Sequence, residues 1–280
     1  MRDNIKNVLT RTVSGVALLI AMISATMWSQ WSFGAMLLII TCGCTYEFNR
    51  MARSLGHSPL EIMGCVASVA LFAFAFDGFF GSSERSIPIA LFFMALIPLV
   101  FAAEVFRTEE NPMVNIALTL MPILYIGAPI ALLAGIPIQI SGGEWSPLVM
   151  VSYFFIVWSN DSFAYLAGIT CGKHLLCEKL SPKKTWEGFV GGVVGSIGVA
   201  AIVAHLLNDS VVMWIGIAVI ASISGVLGDL VESKFKRATN MKDSGSLMPG
   251  HGGWLDRFDS LLLSSPFVFV YLLIISLLTK

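Results

Sequence analysis

The sequence predicts an all-α polytopic membrane protein with about nine transmembrane helices, and three observations carry that prediction. Of the 280 residues, 56% are hydrophobic and 12% charged, where a soluble domain has roughly 25% charged residues. The mean hydropathy is +0.81, so the chain lacks the polar surface to stay in water and lipid is its expected solvent. The apolar residues also arrive in runs of the ~20 residues that a helix needs to cross a bilayer.

In chain order these runs cover 10–28, 32–49, 60–80, 87–106, 114–136, 147–168, 188–207, 211–228 and 260–278. Arg2, Lys6 and Arg11 precede the first, as in a signal peptide, but no convincing cleavage site follows, and the run reads as a first span. Ser29-Gln30-Trp31 joins the first pair of spans, and Asn208-Asp209-Ser210 joins the seventh and eighth. Pro98, Pro122 and Pro129 interrupt spans and predict kinks. Gly188/Gly192 and Gly191/Gly195 have the spacing of small residues at a close helix contact, which is favoured over a phosphate-binding loop. Glu47 and Glu104 lie within or near span ends; each has an arginine three residues on, Arg50 and Arg107, as a local partner.

With connections numbered by the span before them and the N-terminus as zero, every lysine and arginine except Arg85 and Lys280 falls in an even-numbered segment. The positive-inside rule then places the N-terminus and the even connections in the cytoplasm and the C-terminus outside. Two of these connections are long, 169–187 and 229–259, and chemistry is expected there rather than in the short tethers. The chain thus divides into N-terminal transmembrane helices, 1–140, and a C-terminal region, 141–280, that carries both long loops. A net charge of −1 gives no reason to expect nucleic acid. Cys171, His174 and Cys177 are too few ligands for zinc without a second cluster.

The second long loop reads Gly228-Asp229, Glu232-Ser233-Lys234, Lys236-Arg237 and Lys242-Asp243. It ends with Gly250-His251-Gly252-Gly253-Trp254 and Asp256-Arg257-Phe258-Asp259. If the eighth span continues as helix, Asp229, Glu232, Ser233 and Lys236 share one face, as do Asp256 and Asp259 in the ninth. Carboxylates are hard oxygen ligands suited to magnesium. The basic residues could neutralise several phosphates, and the glycines would let backbone N–H groups approach one. A basic cytoplasmic loop with balancing carboxylates is the plainer alternative, but a topogenic loop needs no glycine turn and no spaced aspartates. Asn160 and Asp161 stand inside the sixth span, about 11 Å from its end at ~1.5 Å per residue. An aspartate at that depth costs about 3 kcal/mol to insert, so its default reading is functional, with a helix-packing polar pair as the alternative.

Ser233 to Asp259 resembles the signature of the phosphatidate cytidylyltransferase family: Ser-x-apolar-Lys-Arg, then Lys-Asp, His-Gly-Gly and Asp-Arg-apolar-Asp. It departs at Met248 and Trp254, which stay apolar. Asn160 to Tyr165 and Ser181-Pro182-Lys183-Lys184-Thr185-Trp186-Glu187-Gly188 are similar to other recurrent family segments. The resemblance covers roughly residues 155–260 well and the first five spans in general character only.

It implies transfer of a cytidyl group from CTP to phosphatidic acid, giving CDP-diacylglycerol and pyrophosphate in phospholipid biosynthesis, at a cytoplasm-facing site in the inner membrane. On that reading Asp229 and Asp256 hold Mg2+, with a second cation left open. Lys242, Asp243, His251, Arg257 and Asp259 serve catalysis, His251 as a donor to phosphate rather than a base. Asn160, Asp161, Ser181, Lys183, Lys184, Thr185, Ser233, Lys236 and Arg237 bind substrate. The partners implied are CTP, phosphatidic acid and membrane lipid, and a homodimer is compatible with the reading. A CTP-dependent kinase acting on a polyprenol or phytol is the closest rival. A transporter is disfavoured by the absence of an internal repeat.

Overall fold

The computed structural model describes residues 2–81, 83–241, 243–245 and 252–278, with side chains outside 2–12 and 83–85. Helices α1 (Arg2–Trp28), α2 (Gln30–Ser54), α3 (Glu61–Phe80), α4 (Ser83–Val105) and α5 (Pro112–Pro122) come first. A π-helical turn, Ile123–Gly127, leads into α6 (Ala128–Ile140), followed by α7 (Pro147–Cys171). A hairpin of β1 (Leu175–Cys177) and β2 (Ser181–Thr185) precedes α8 (Trp186–Leu207), α9 (Val211–Ala238) and α10 (Leu255–Leu278).

Each apolar run of the sequence is helical. Among the described residues, 7 spans have the length and composition to cross a bilayer. The apolar part of α1, Val13–Trp28, is shorter, and α7 carries Ser159, Asn160, Asp161 and Ser162 across its middle. Side chains facing outward are apolar as well: Ile62 is 80% exposed, Leu206 72% and Val212 79%. Only a lipid solvent makes such a surface stable. The chain is a multi-pass helical membrane protein.

It folds as two compact units, Met1–Gly135 with Ala238–Phe258, and Ile136–Arg237 with Asp259–Lys280. Ala238–Phe258, from the second long loop, belongs to the same unit as the N-terminal helices.

In the first unit, Ser29 and Ser32 form a reciprocal capping box, Ser32 N–H to Ser29 Oγ at 3.1 Å and Ser29 N–H to Ser32 Oγ at 3.0 Å. This box starts α2 immediately after α1. Pro122 and Pro129 flank the π turn, where Ala128 N–H donates to Ile123 C=O, five residues back; each proline lacks an N–H for the regular ladder. Pro98 lies inside α4, which continues past it. Glu104 meets Arg107 at 2.8 Å, the pairing expected from their spacing, and also accepts from Asn115 at 3.1 Å. Asn115 in turn accepts the Ser58 N–H at 3.0 Å, so α4, α5 and the start of α3 are tied together.

In the second unit, α8 lies on α7 along its glycines. A Cβ on Gly188 would come within 2.8 Å of the Ala164 carbonyl, and one on Gly192 within 2.8 Å of the Asn160 carbonyl. The small-residue spacing is thus a close backbone contact. Buried hydroxyl pairs, Ser196–Ser222 at 2.7 Å and Tyr153–Ser264 at 2.8 Å, join α8 to α9 and α7 to α10.

Candidate active site

Helix α9 runs unbroken from Val211 to Ala238, so the chain past Asp229 keeps its helical register. Two links at spacing four form along the shared face: Ser233 Oγ donates to Asp229 Oδ1 at 3.4 Å, and Lys236 Nζ pairs with Glu232 Oε2 at 2.7 Å. Gly228 sets how closely α9 meets α10. A Cβ there would fall on the Asp259 carbonyl and within 3.1 Å of Leu263 Cβ, so the missing side chain permits the approach.

Next to this contact, oxygens of Asp229, Glu232 and Asp259 all lie within 4.8 Å of one another. Glu232 is 1% exposed and Asp259 8%. Carboxylates so close and so buried repel unless cations stand among them. The protein supplies Lys184 of β2, paired with Asp229, and Lys236, paired with Glu232. Asp161 of α7 adds negative charge at Asp259, which Lys184 partly offsets. Carboxylates outnumber lysines here, and their hard oxygens fit a small divalent cation such as Mg2+.

Lys184 stands on a fixed platform. Glu187 accepts the N–H groups of Lys173 and His174 at 3.0 and 3.2 Å and meets His174 Nδ1 at 2.6 Å, which ties the entrance of the hairpin to α8. Thr185 caps α8 by accepting the Gly188 N–H at 3.1 Å. Ser181 is half-buried on the same strand and Lys183 is exposed. Asp161 and Arg237 are exposed too. Asn160 is buried, its Oδ1 against Gly192, and among the described residues that oxygen accepts no hydrogen bond.

In the first unit, Asp256 Oδ2 accepts the N–H groups of Ser244 at 3.0 Å and Gly253 at 2.9 Å, with Ser244 Oγ at 2.9 Å. Gly252 takes φ +81°, a left-handed conformation that leads the chain into this turn. Asp243 and Arg257 are exposed. Lys242 and His251 lie outside the described residues. Of the residues read from sequence, the structure thus brings together Asp229, Asp259, Lys184, Ser233 and Lys236, and engages Asp256 separately with Ser244 and Gly253.

Two acidic residues acquire places that the sequence did not assign. Glu232 joins the cluster on the strength of its spacing from Asp229. Glu47 accepts hydrogen bonds from Ser244, Trp254 and Leu255, while Arg50, its expected neighbour, is exposed. A buried carboxylate in an apolar span is a legible signal; a partner some two hundred positions away is not.

Apolar helices around a buried cluster of carboxylates and lysines define a multi-pass membrane protein with an acidic, lysine-bearing site. Residues 9–275 match the cytidylyltransferase family, and the chain belongs to that family. It is 47% identical over 122 residues to a phosphatidate cytidylyltransferase of Staphylococcus aureus (strain COL), covering 43% of this chain and 47% of that one. The match to the Staphylococcus saprophyticus protein of the same name is 45% over 122 residues, with the same coverage, so the chain spans about half the length of these relatives. With the phosphatidate cytidylyltransferase of Rickettsia bellii (strain RML369-C) it is 34% identical over 191 residues, which are 65% of this chain and 79% of that one.

Proposed function

We propose that the chain is a phosphatidate cytidylyltransferase, and the crowding of Asp229, Glu232 and Asp259 beside Lys184 and Lys236 is the observation that carries the reading. A phosphate oxygen of phosphatidic acid forms a bond to the α-phosphorus of CTP. The bond from that phosphorus to the bridging oxygen of the β-phosphate breaks, and pyrophosphate leaves with the electron pair. The nucleophile is already an anion near neutral pH, so no strong general base is required. The difficulty is bringing highly charged groups together, and it is met by charge neutralisation and alignment.

Asp229, Glu232 and Asp259 would hold Mg2+, which when bound neutralises developing phosphate charge. Lys184 and Lys236, now paired with carboxylates, would turn to phosphate oxygens once a cation takes over those carboxylates. Lys183, Arg237 and Arg257, all exposed, would draw in the triphosphate. Asn160, with a buried acceptor oxygen, and Asp161 would line the end of the site that reaches into the membrane, where a lipid phosphate enters. Nine spans, a cytoplasmic N-terminus and a site open to the cytoplasm follow from the segregation of basic residues, in the inner membrane of a bacterial cell.

The test uses purified protein with Mg2+, phosphatidic acid and CTP labelled at either the α- or the γ-phosphorus. The α-label is expected in the extracted lipid and the γ-label in pyrophosphate. Label from the γ-position in lipid would make the protein a CTP-dependent lipid kinase instead.

A further inference from the structure

We propose that Glu47 of α2 is a positioning residue for the transfer reaction, acting through the first turn of α10; the inference rests on the cytidylyltransferase reading. Glu47 has no solvent exposure (0%). Its Oε1 accepts the Trp254 N–H at 2.9 Å. Its Oε2 accepts the Leu255 N–H at 2.9 Å and the Ser244 hydroxyl at 2.8 Å. These donors come from a segment that begins 197 residues further along the chain.

The N–H groups at a helix start have no partner within the helix. Here a carboxylate from another helix accepts two of them, where the partial positive charge of the helix end favours an anion. Ser244 links this cap to Asp256, since its Oγ lies 2.8 Å from Glu47 Oε2 and 2.9 Å from Asp256 Oδ2. The surrounding sequence is shaped to the carboxylate: a Cβ on Gly245 or Gly253 would land on it. One turn before Glu47, Gly43 lies under the Trp254 indole, whose ring carbons would come within 2.9 Å of an added Cβ.

Apolar packing alone could dock α2 on this segment. A buried charge is costly unless donors meet it, and all three donors here belong to residues 244–255. What the charge secures is therefore the setting of the first turn of α10, which carries Asp256 and Arg257. Displacement of reacting groups by about 1 Å can cost a hundredfold in rate.

Glu47→Gln is the direct test, because it keeps the shape but turns an NH2 group toward donors that need an acceptor. Two readouts are made on full-length protein. Hydrogen exchange of the amides of residues 253–257 should accelerate about tenfold or more, with peptides of α7 and α8 unchanged. Per folded molecule, kcat should fall about tenfold to a hundredfold while KM for CTP and phosphatidic acid stays within about threefold. Ser244→Ala, which removes one link only, should show the same pattern more weakly and decides the matter if Glu47→Gln does not accumulate folded. Faster exchange at full kcat in the folded variants would make Glu47 a purely structural cap and overturn the proposal, as would unchanged exchange. A wild-type protein that transfers no cytidyl label would sink the reaction assignment instead, a result the exchange data cannot mimic.

Discussion

Glu47 and Asp256 are met by backbone N–H groups and the Ser244 hydroxyl. In the cluster of Asp229, Glu232 and Asp259, by contrast, two of the three carboxylates are paired with lysines, Asp229 with Lys184 and Glu232 with Lys236, and Asp259 accepts the Ser260 N–H. Backbone donors are fixed by the fold and cannot leave. A lysine reaches its partner on a flexible four-carbon stem and can move to another anion. The first arrangement holds a shape; the second can exchange partners. Two groups of acidic residues, similar in sequence, thus differ in whether lysines stand among their described partners, and the proposed function draws on the lysine-paired group.

The largest effect that would break this contrast comes from the cluster. Asp229→Asn and Asp259→Asn are each expected to lower cytidyl transfer by about a thousandfold or more, with the double variant little worse, as for groups that act as a unit. Steady-state rates on folded protein check this, and mild additive losses would return the carboxylates to the role of balancing charges. Asp161→Asn should have a smaller effect, a loss of about tenfold, because Asp161 contributes field at Asp259 from an exposed position. Normal turnover in that variant would assign Asp161 to helix packing. Glu104→Gln is the control outside the cluster. It weakens the Arg107 pair and the Asn115 contact, so it should cost about 1–3 kcal/mol of stability with kcat per folded molecule unchanged. Thermal melts and rates measured together would show it, and a fall in kcat would mean that this network reaches the chemistry.

The spans were legible because a bilayer imposes a length and a composition on each helix, and α9 continued past Asp229 as its spacing suggested. The hairpin at 175–185 was not. Its strands are short and mixed in polarity, and Glu187 secures its entrance by bonds to the backbone of Lys173 and His174, which leave no pattern in a sequence. In the site, Asp229 and Asp259 stood out as aspartates beside apolar spans. The pairing of Asp229 with Lys184 did not, because it depends on how β2 meets α9. Glu47 announced itself only as an anomaly. Its partners lie in the segment that carries the signature, and no local spacing connects the two.

The π turn at Ile123–Gly127 has a consequence for comparing chains. A π turn holds about one residue more than an α turn, and each residue advances an α-helix by roughly 100°. Everything between Gly127 and Gly135 is therefore rotated relative to the helix that precedes Pro122. Residues 129–131 and 133–135 beyond the turn are all buried, so the rotation decides which neighbour each of these side chains meets rather than which face is inward. A relative that lacks the extra residue would bring the same string of apolar letters against different neighbours. Alignments matched on hydropathy alone would then run one position out of step through the rest of that span.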